Sequence, residues 1–154
     1  MRLNQQPAAL EADGSAVGAV PLAALAVPAA APHVALVRLA ALHVAGLVGL
    51  DVGRAADLRL AVAEACGQFL QAVPSGSPAA RRAAVEIRFE RERGSLRVTL
   101  RGPVPPGWPE PEGLGWLLLS ALVGDLRWAQ AGGVGTLTLV ERLPAVDEPA
   151  PAAR

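Results

Sequence analysis

Lysine and tyrosine are absent from this 154-residue chain, and all 14 of its basic residues are arginine. That bias reads as the coding habit of a GC-rich genome rather than as a functional choice. Aromatic residues make up only 3% of the chain, so the interior has to be built from small aliphatic side chains. The single cysteine, Cys66, excludes an internal disulfide framework and any cysteine metal cluster, and a reducing cytoplasm fits it best. An excess of charge of either sign is missing too: 14 acidic residues cancel the 14 arginines. No long-range field gathers nucleic acid or anionic lipid, which excludes direct nucleic-acid binding and a membrane-surface role.

Long uninterrupted apolar runs are also missing. The apolar region that ends at Leu50 contains Arg38 and is broken by Pro21, Pro28 and Pro32, so it does not provide the roughly 20 apolar residues of a membrane span. Ala29-Ala30-Ala31 has the small residues of a cleavage site, but Glu11 and Asp13 follow Arg2 and remove the positive first region that export requires. There is no Walker loop, and no Gly-x-Gly-x-x-Gly follows a strand pattern. His33 and His43 lie too far apart along one helix for metal-ligand spacing, and Ser75 and Ser120 have no histidine nearby, so neither a zinc site nor a hydrolase triad is indicated.

Ala, Leu and Val dominate a composition that is 52% hydrophobic, with mean hydropathy +0.35. That is enough for one domain with a real core. Residues 1–15 and the Pro/Ala-rich residues 144–154 are expected to be flexible tails around a domain spanning 16–143. Ala16 to Val27 reads as a first strand, with Pro21 placing it at an edge. His33 to Leu50 has helical spacing at Val34, Val37, Ala41, Val44 and Val48 and reads as a mostly buried helix. Asp51 caps a second helix over roughly Gly53 to Val73, with an apolar stripe at Leu58, Val62, Ala65 and Phe69.

The period then changes. Val85, Ile87 and Phe89 alternate with charged residues, as do Leu96, Val98 and Leu100, which predicts two half-buried strands joined at Arg93-Gly94. Five prolines between Gly102 and Gly113 make a stiff loop. Leu114 to Val123 reads as helix, and a second hairpin turns at Gly132-Gly133. The predicted fold is α+β: a two-layer sandwich with helices on one face of a mixed, largely antiparallel sheet.

Glu64 and Gln68 are four residues apart and share a helical face, beside the apolar stripe. Alone, such a pair is ordinarily the wet side of a helix. However, Leu58 to Cys66, followed by two strands, a loop and Gly113-Leu114-Gly115-Trp116, resembles the anti-sigma-factor serine/threonine kinases of the GHKL (histidine-kinase-like) ATPase superfamily. The resemblance runs in order and spacing from about Val20 to Leu143.

It implies a histidine-kinase-like ATPase fold, ATP and Mg²⁺ as cofactors, and a sigma factor or anti-anti-sigma-type protein as partner, with a homodimer as a further option. The family's Glu-x-x-x-Asn motif makes Glu64 the implied catalytic general base and puts Gln68 at the position that helps bind Mg²⁺ and ATP. The family's Asp-x-Gly-x-Gly falls on Leu100, Gly102 and Val104, and its later glycines on Gly113 and Gly115. Its final Gly-Thr matches Gly135-Thr136, so Gly102, Gly113, Gly115 and Thr136 are the remaining implied cofactor-binding residues.

The departures have physical meanings. An adenine amino group facing Leu100 instead of an aspartate would lose its acceptor, at roughly 1–3 kcal/mol. Gln68 carries the right oxygen for Mg²⁺ on a stem one methylene too long. Two functions follow: a degenerate relative that regulates by protein binding, or an active ATP-dependent kinase of an anti-anti-sigma-type partner. Leu100→Asp, with Val104→Gly and Gln68→Asn, is expected to recover nucleotide binding. Trp108, in the proline-rich loop with few obvious core neighbours, reads as an interface anchor or as a buried plug.

Overall fold

Strict alternation of apolar and charged residues makes Val85, Ile87 and Phe89 the core-facing side of strand β2 (Ala84–Glu92) in the computed structural model, which describes residues 18–72, 76–78 and 82–145. Leu96, Val98 and Leu100 play the same part in β3 (Ser95–Pro103), and all six of these side chains are fully buried. β4 (Asp125–Ala131) and β5 (Val134–Arg142) form the second hairpin. Its two turn residues, Gly132 and Gly133, have φ of 58° and 75°, the left-handed pair that a tight hairpin turn requires.

β1 (Val20–Pro28) pairs with β2 at one edge, and its register shifts between Pro21 and Ala23. Proline cannot donate to a ladder, which suits it to this edge position. The order is β1-β2-β3-β5-β4, and all four neighbouring pairs are antiparallel. The expected mixed sheet is therefore corrected: no parallel pair occurs among the described strands. The tight hairpins impose that direction on β2–β3 and on β4–β5.

A single 3₁₀ turn (Ala31–His33) leads into α1 (Val34–Leu47), followed by α2 (Val52–Ala72) and, after the proline-rich loop, α3 (Leu114–Leu122). The Asp51 carboxylate accepts a hydrogen bond from the Arg54 backbone N–H at 2.9 Å and so caps α2. The Arg54 guanidinium reaches Glu141 at the end of β5, its Nε donating at 3.0 Å, and also bonds the Arg142 carbonyl. These bonds fix the start of α2 against the sheet. α2 is the middle helix, packed on α1, α3 and β3. It buries Leu58, Ala61, Val62, Ala65, Cys66 and Phe69.

α1 differs from expectation. It buries Val37, Ala41, Val44 and Ala45, but leaves Leu36, Leu39 and Leu47 more than half exposed. The helix lies at the margin of its layer beside α2 and β1, so only one of its faces is covered. The covered face is the one that the spacing of Val37, Ala41, Val44 and Val48 marks, and what a sequence apolar all round does not show is that the opposite face stays open. Of the expected tails, residues 1–15 and 146–154 lie outside the described residues.

Cys66 is fully buried in α2, and burial pushes its thiol from 9.0 up to about 11. With no lysine and no tyrosine in the chain, no other side chain titrates between those values. The folded state holds the thiol proton that the unfolded state releases, so the contribution is complete below pH 9 and is lost as pH rises towards 11. Chemical denaturation should show stability falling by roughly 2–3 kcal/mol across that window. In Cys66→Ala the decline should vanish; an unchanged slope would assign it elsewhere.

Candidate functional site

One turn apart on α2, Glu64 and Gln68 are both half-buried and both meet the first turn of α3 at Gly115. A Cβ on Gly115 would lie 2.7 Å from Gln68 Nε2 and would also overlap Glu64 Oε1. Glycine lets α3 start this close to α2 without moving either side chain. Gly113 is the N-cap residue of α3, in extended conformation, and its carbonyl accepts from the N–H groups of Trp116 and Leu117 at 3.1 and 3.2 Å. Glu64 thus places a carboxylate beside a helix N-terminus, where the aligned peptide dipoles favour negative charge.

Phe69, the residue after Gln68, carries the site onto the sheet. On β3 and β5, Gly102 and Gly135 are direct partners, and both are buried on the face beneath the helices. Two missing side chains side by side leave a niche in the sheet. Phe69 closes over Gly102, where a Cβ would lie 3.1 Å from its ring. The Trp108 indole closes over Gly135, where a Cβ would lie 2.7 and 2.9 Å from Cζ3 and Cε3 and 2.8 Å from Val104 Cγ1. The two rings pack against each other with centroids 5.2 Å apart and planes tilted by 35°. Two bonds hold the loop that delivers Trp108: Val104 N–H donates to the Gly133 carbonyl, and Gln130 Nε2 to the Pro105 carbonyl, both at 2.9 Å.

Of the two readings of Trp108, burial decides for the plug: it is 8% exposed and belongs to the core cluster. Its Nε1 is buried, with no hydrogen-bond partner among the described residues. Leu100, two residues before Gly102 on the same face of β3, is fully buried.

Glu64, Gln68 and Gly115 therefore come together, with Gly113 at the same helix start, and Gly102 lies under Phe69. Thr136 does not join them. It is half-buried, alternates with buried Gly135 and Leu137, and pairs with Arg101 and Ala129, so its side chain lies on the uncovered face of the sheet. Among the described residues, no group of three or more His, Cys, Asp and Glu side chains could hold a metal ion. Phe69 in the sequence is only one member of an apolar stripe. The signal that links it to Trp108 is a glycine at an inward position in each of two strands, which requires large side chains from elsewhere to fill the space.

Residues 27–140 match the histidine kinase-like ATPase domain family. The chain belongs to that family. Its fold is similar to that of a Mycobacterium tuberculosis protein whose crystal structure comprises the RsbU and RsbW domains, with TM-score 0.58 and 20% identity. That similarity covers 80% of this chain and 33% of the other, so this chain corresponds to about a third of that structure's length. A search of curated proteins finds no match. Within this histidine kinase-like ATPase domain, the two parts of the site differ in their tolerance of added bulk. Gly115→Ala meets the far ends of flexible side chains, whereas Gly135→Ala meets two packed groups at once. Gly135→Ala should cost roughly 1–3 kcal/mol and clearly more than Gly115→Ala, as read from thermal melts. Equal losses would mean that the Trp108 ring yields freely.

Proposed function

We propose that this histidine kinase-like ATPase domain is a degenerate member of its family, an anti-sigma-type cytoplasmic regulator that acts by binding a sigma factor or an anti-anti-sigma-type protein. The observation that carries this reading is the Phe69–Trp108 pair filling the niche over Gly102 and Gly135. The residues present do not fit ATP and Mg²⁺. A purine entering here would have to displace two packed rings and would face Leu100, which offers its amino group no acceptor. At the other end Gln68 and Glu64 press against Gly115. Protein binding is supported by the uncovered apolar face of α1 at Leu36, Leu39 and Leu47, since large exposed apolar patches mark interaction surfaces. No helix among the described residues is long and apolar enough to cross a membrane.

The second reading, an active protein kinase with Glu64 as general base, rests on one observation: Glu64, Gln68 and Gly115 still converge at the start of α3. A carboxylate so placed could take a proton from a partner's serine hydroxyl.

Calorimetry with Mg-ATP separates the two. No binding tighter than about 100 μM is expected, since that affinity needs more than roughly 5 kcal/mol from a site without its base contacts. Tighter binding together with phosphate transfer to a partner would establish the kinase instead. Leu100→Asp alone should not restore affinity, contrary to what the motif suggests, because the niche stays filled. It should instead lower stability by roughly 3 kcal/mol or more through a buried unpaired carboxylate. Assays against the sigma factors and anti-anti-sigma-type proteins of the same genome should find a partner whose affinity falls about tenfold or more in Leu39→Asp, with or without ATP.

A further inference from the structure

We propose that the free edge of β1 is a docking site for an extended segment of another protein, which adds to the sheet antiparallel to β1 and carries a basic residue two places before an acidic one. This goes beyond the α1 contact, and it holds whether or not the domain binds a nucleotide.

The strand order leaves β1 and β4 with one unpaired edge each, and the two edges differ in charge. On β4 the Arg127 Nε donates to the Asp125 carboxylate at 2.8 Å and a second guanidinium nitrogen lies 2.7 Å from the same oxygen, so that strand answers its own charges. β1 has no charged residue from Val20 to Pro28, whereas natural edge strands are commonly guarded by charge. Its prolines close only the ends. The Ala29 N–H donates to the Ala83 carbonyl at 2.9 Å, next to the Pro28–Ala84 pair, and the groups of an antiparallel ladder alternate in direction along each strand. Ala24 and Ala26, like Pro28, therefore turn their backbone groups away from β2. Each of the two alanines offers an N–H and a C=O to an incoming strand.

The same two residues are small. Ala24 pairs with Arg88 and Ala26 with Glu86, all four are exposed, and they line a shallow depression of about 280 Å³ on the open face of the sheet. Neither Glu86 nor Arg88 has an ion pair or a hydrogen bond among the described residues. Strands lie about 4.8 Å apart, so a residue added opposite Ala24 stands roughly 10 Å from Arg88, with only a methyl group between. A glutamate there reaches the Arg88 guanidinium, and an arginine opposite Ala26 reaches Glu86. An antiparallel strand meets Ala26 first, which sets the order basic, spacer, acidic. Main-chain bonds supply the attachment and the two charges supply the selection. A second copy of β1 does not fit this role, because it brings no charge to either Glu86 or Arg88. Residues 1–17 and 146–154 contain no basic residue two places before an acidic one, so the segment belongs to another chain.

Calorimetry of the full chain with the capped peptide Thr-Val-Arg-Val-Glu-Val-Thr, at up to about 1 mM, tests this. Saturable one-to-one binding is expected, and the peptide with Arg and Glu exchanged should bind about fivefold or more weakly. A chain carrying Glu86→Arg with Arg88→Glu should reverse that preference. Ala26→Pro removes one outward N–H and no donor of the β1–β2 ladder, so it should weaken both peptides about tenfold or more while the melting temperature holds. No binding of either peptide, or a preference that the charge exchange leaves unchanged, overturns the proposal. So does a dimer of the unaltered chain that Ala26→Pro dissociates. If Ala26→Pro does not fold, the charge-exchanged chain decides alone. Leu39→Asp should bind the peptide as the unaltered chain does, which separates failure at this edge from failure of the α1 contact.

Discussion

The pairing of Gly102 with Gly135 across β3 and β5 is the constraint around which this domain is arranged. Two adjacent inward positions without side chains would leave a void, and interiors are packed too densely to tolerate one. The void is filled from two directions, by Phe69 from α2 and by Trp108 from the loop. Each ring also sets the backbone that carries it: α2 must pass at ring distance over β3, and the loop must turn back over the β4–β5 hairpin. Magnitudes explain why a Trp108 Nε1 without a partner among the described residues is tolerated. An unsatisfied buried N–H costs roughly 1–3 kcal/mol, whereas truncating a buried tryptophan typically costs about 3–5. Packing wins, and the indole stays in.

A second glycine contact follows from the first. With Phe69 fixed over Gly102, the helix face one turn earlier is fixed as well, and it presents Glu64 and Gln68 to α3. Gly115 then allows α3 to begin against those two side chains. The two ends of the site thus differ in kind. The sheet end is closed by large rigid rings that cannot yield without leaving a cavity. The helix end is closed by long side chains whose tips move at little cost.

How much of this could be read from the sequence depends on whether a neighbour was needed to see it. The two hairpins follow from strict alternation and a glycine at each turn, and the Asp51 cap of α2 from one residue before a periodic run; both are local signals. The Glu64–Gln68 face is local too, since spacing alone puts them together. The covered face of α1 is legible from the spacing of Val37, Ala41, Val44 and Val48, but its composition is apolar on every side, so only the position of the helix at the margin of its layer decides that Leu36, Leu39 and Leu47 stay open. Trp108 was undecided for the same reason: nothing near it in sequence tells that two glycines, Gly102 just before the loop and Gly135 far along the chain, leave a space its ring can fill. Thr136 joined the site through a motif, but strand alternation turns its side chain to the open face.

This division has a consequence for control. A nucleotide can regulate a domain only by binding two of its states with different affinity; a ligand that does not bind shifts nothing. On the degenerate reading, the niche over Gly102 and Gly135 stays occupied by Phe69 and Trp108, and ATP has no route by which to couple to a partner. The α1 surface lies on the other side of α2 from α3, so partner docking there leaves the ring pair undisturbed. On the protein-binding reading, occupancy of a partner is then set by concentrations and by competition between partners, through mass action rather than through the nucleotide state of this chain. On that reading the domain serves as a rigid support for a helix face, and the side chains that fill the niche over Gly102 and Gly135 supply that rigidity.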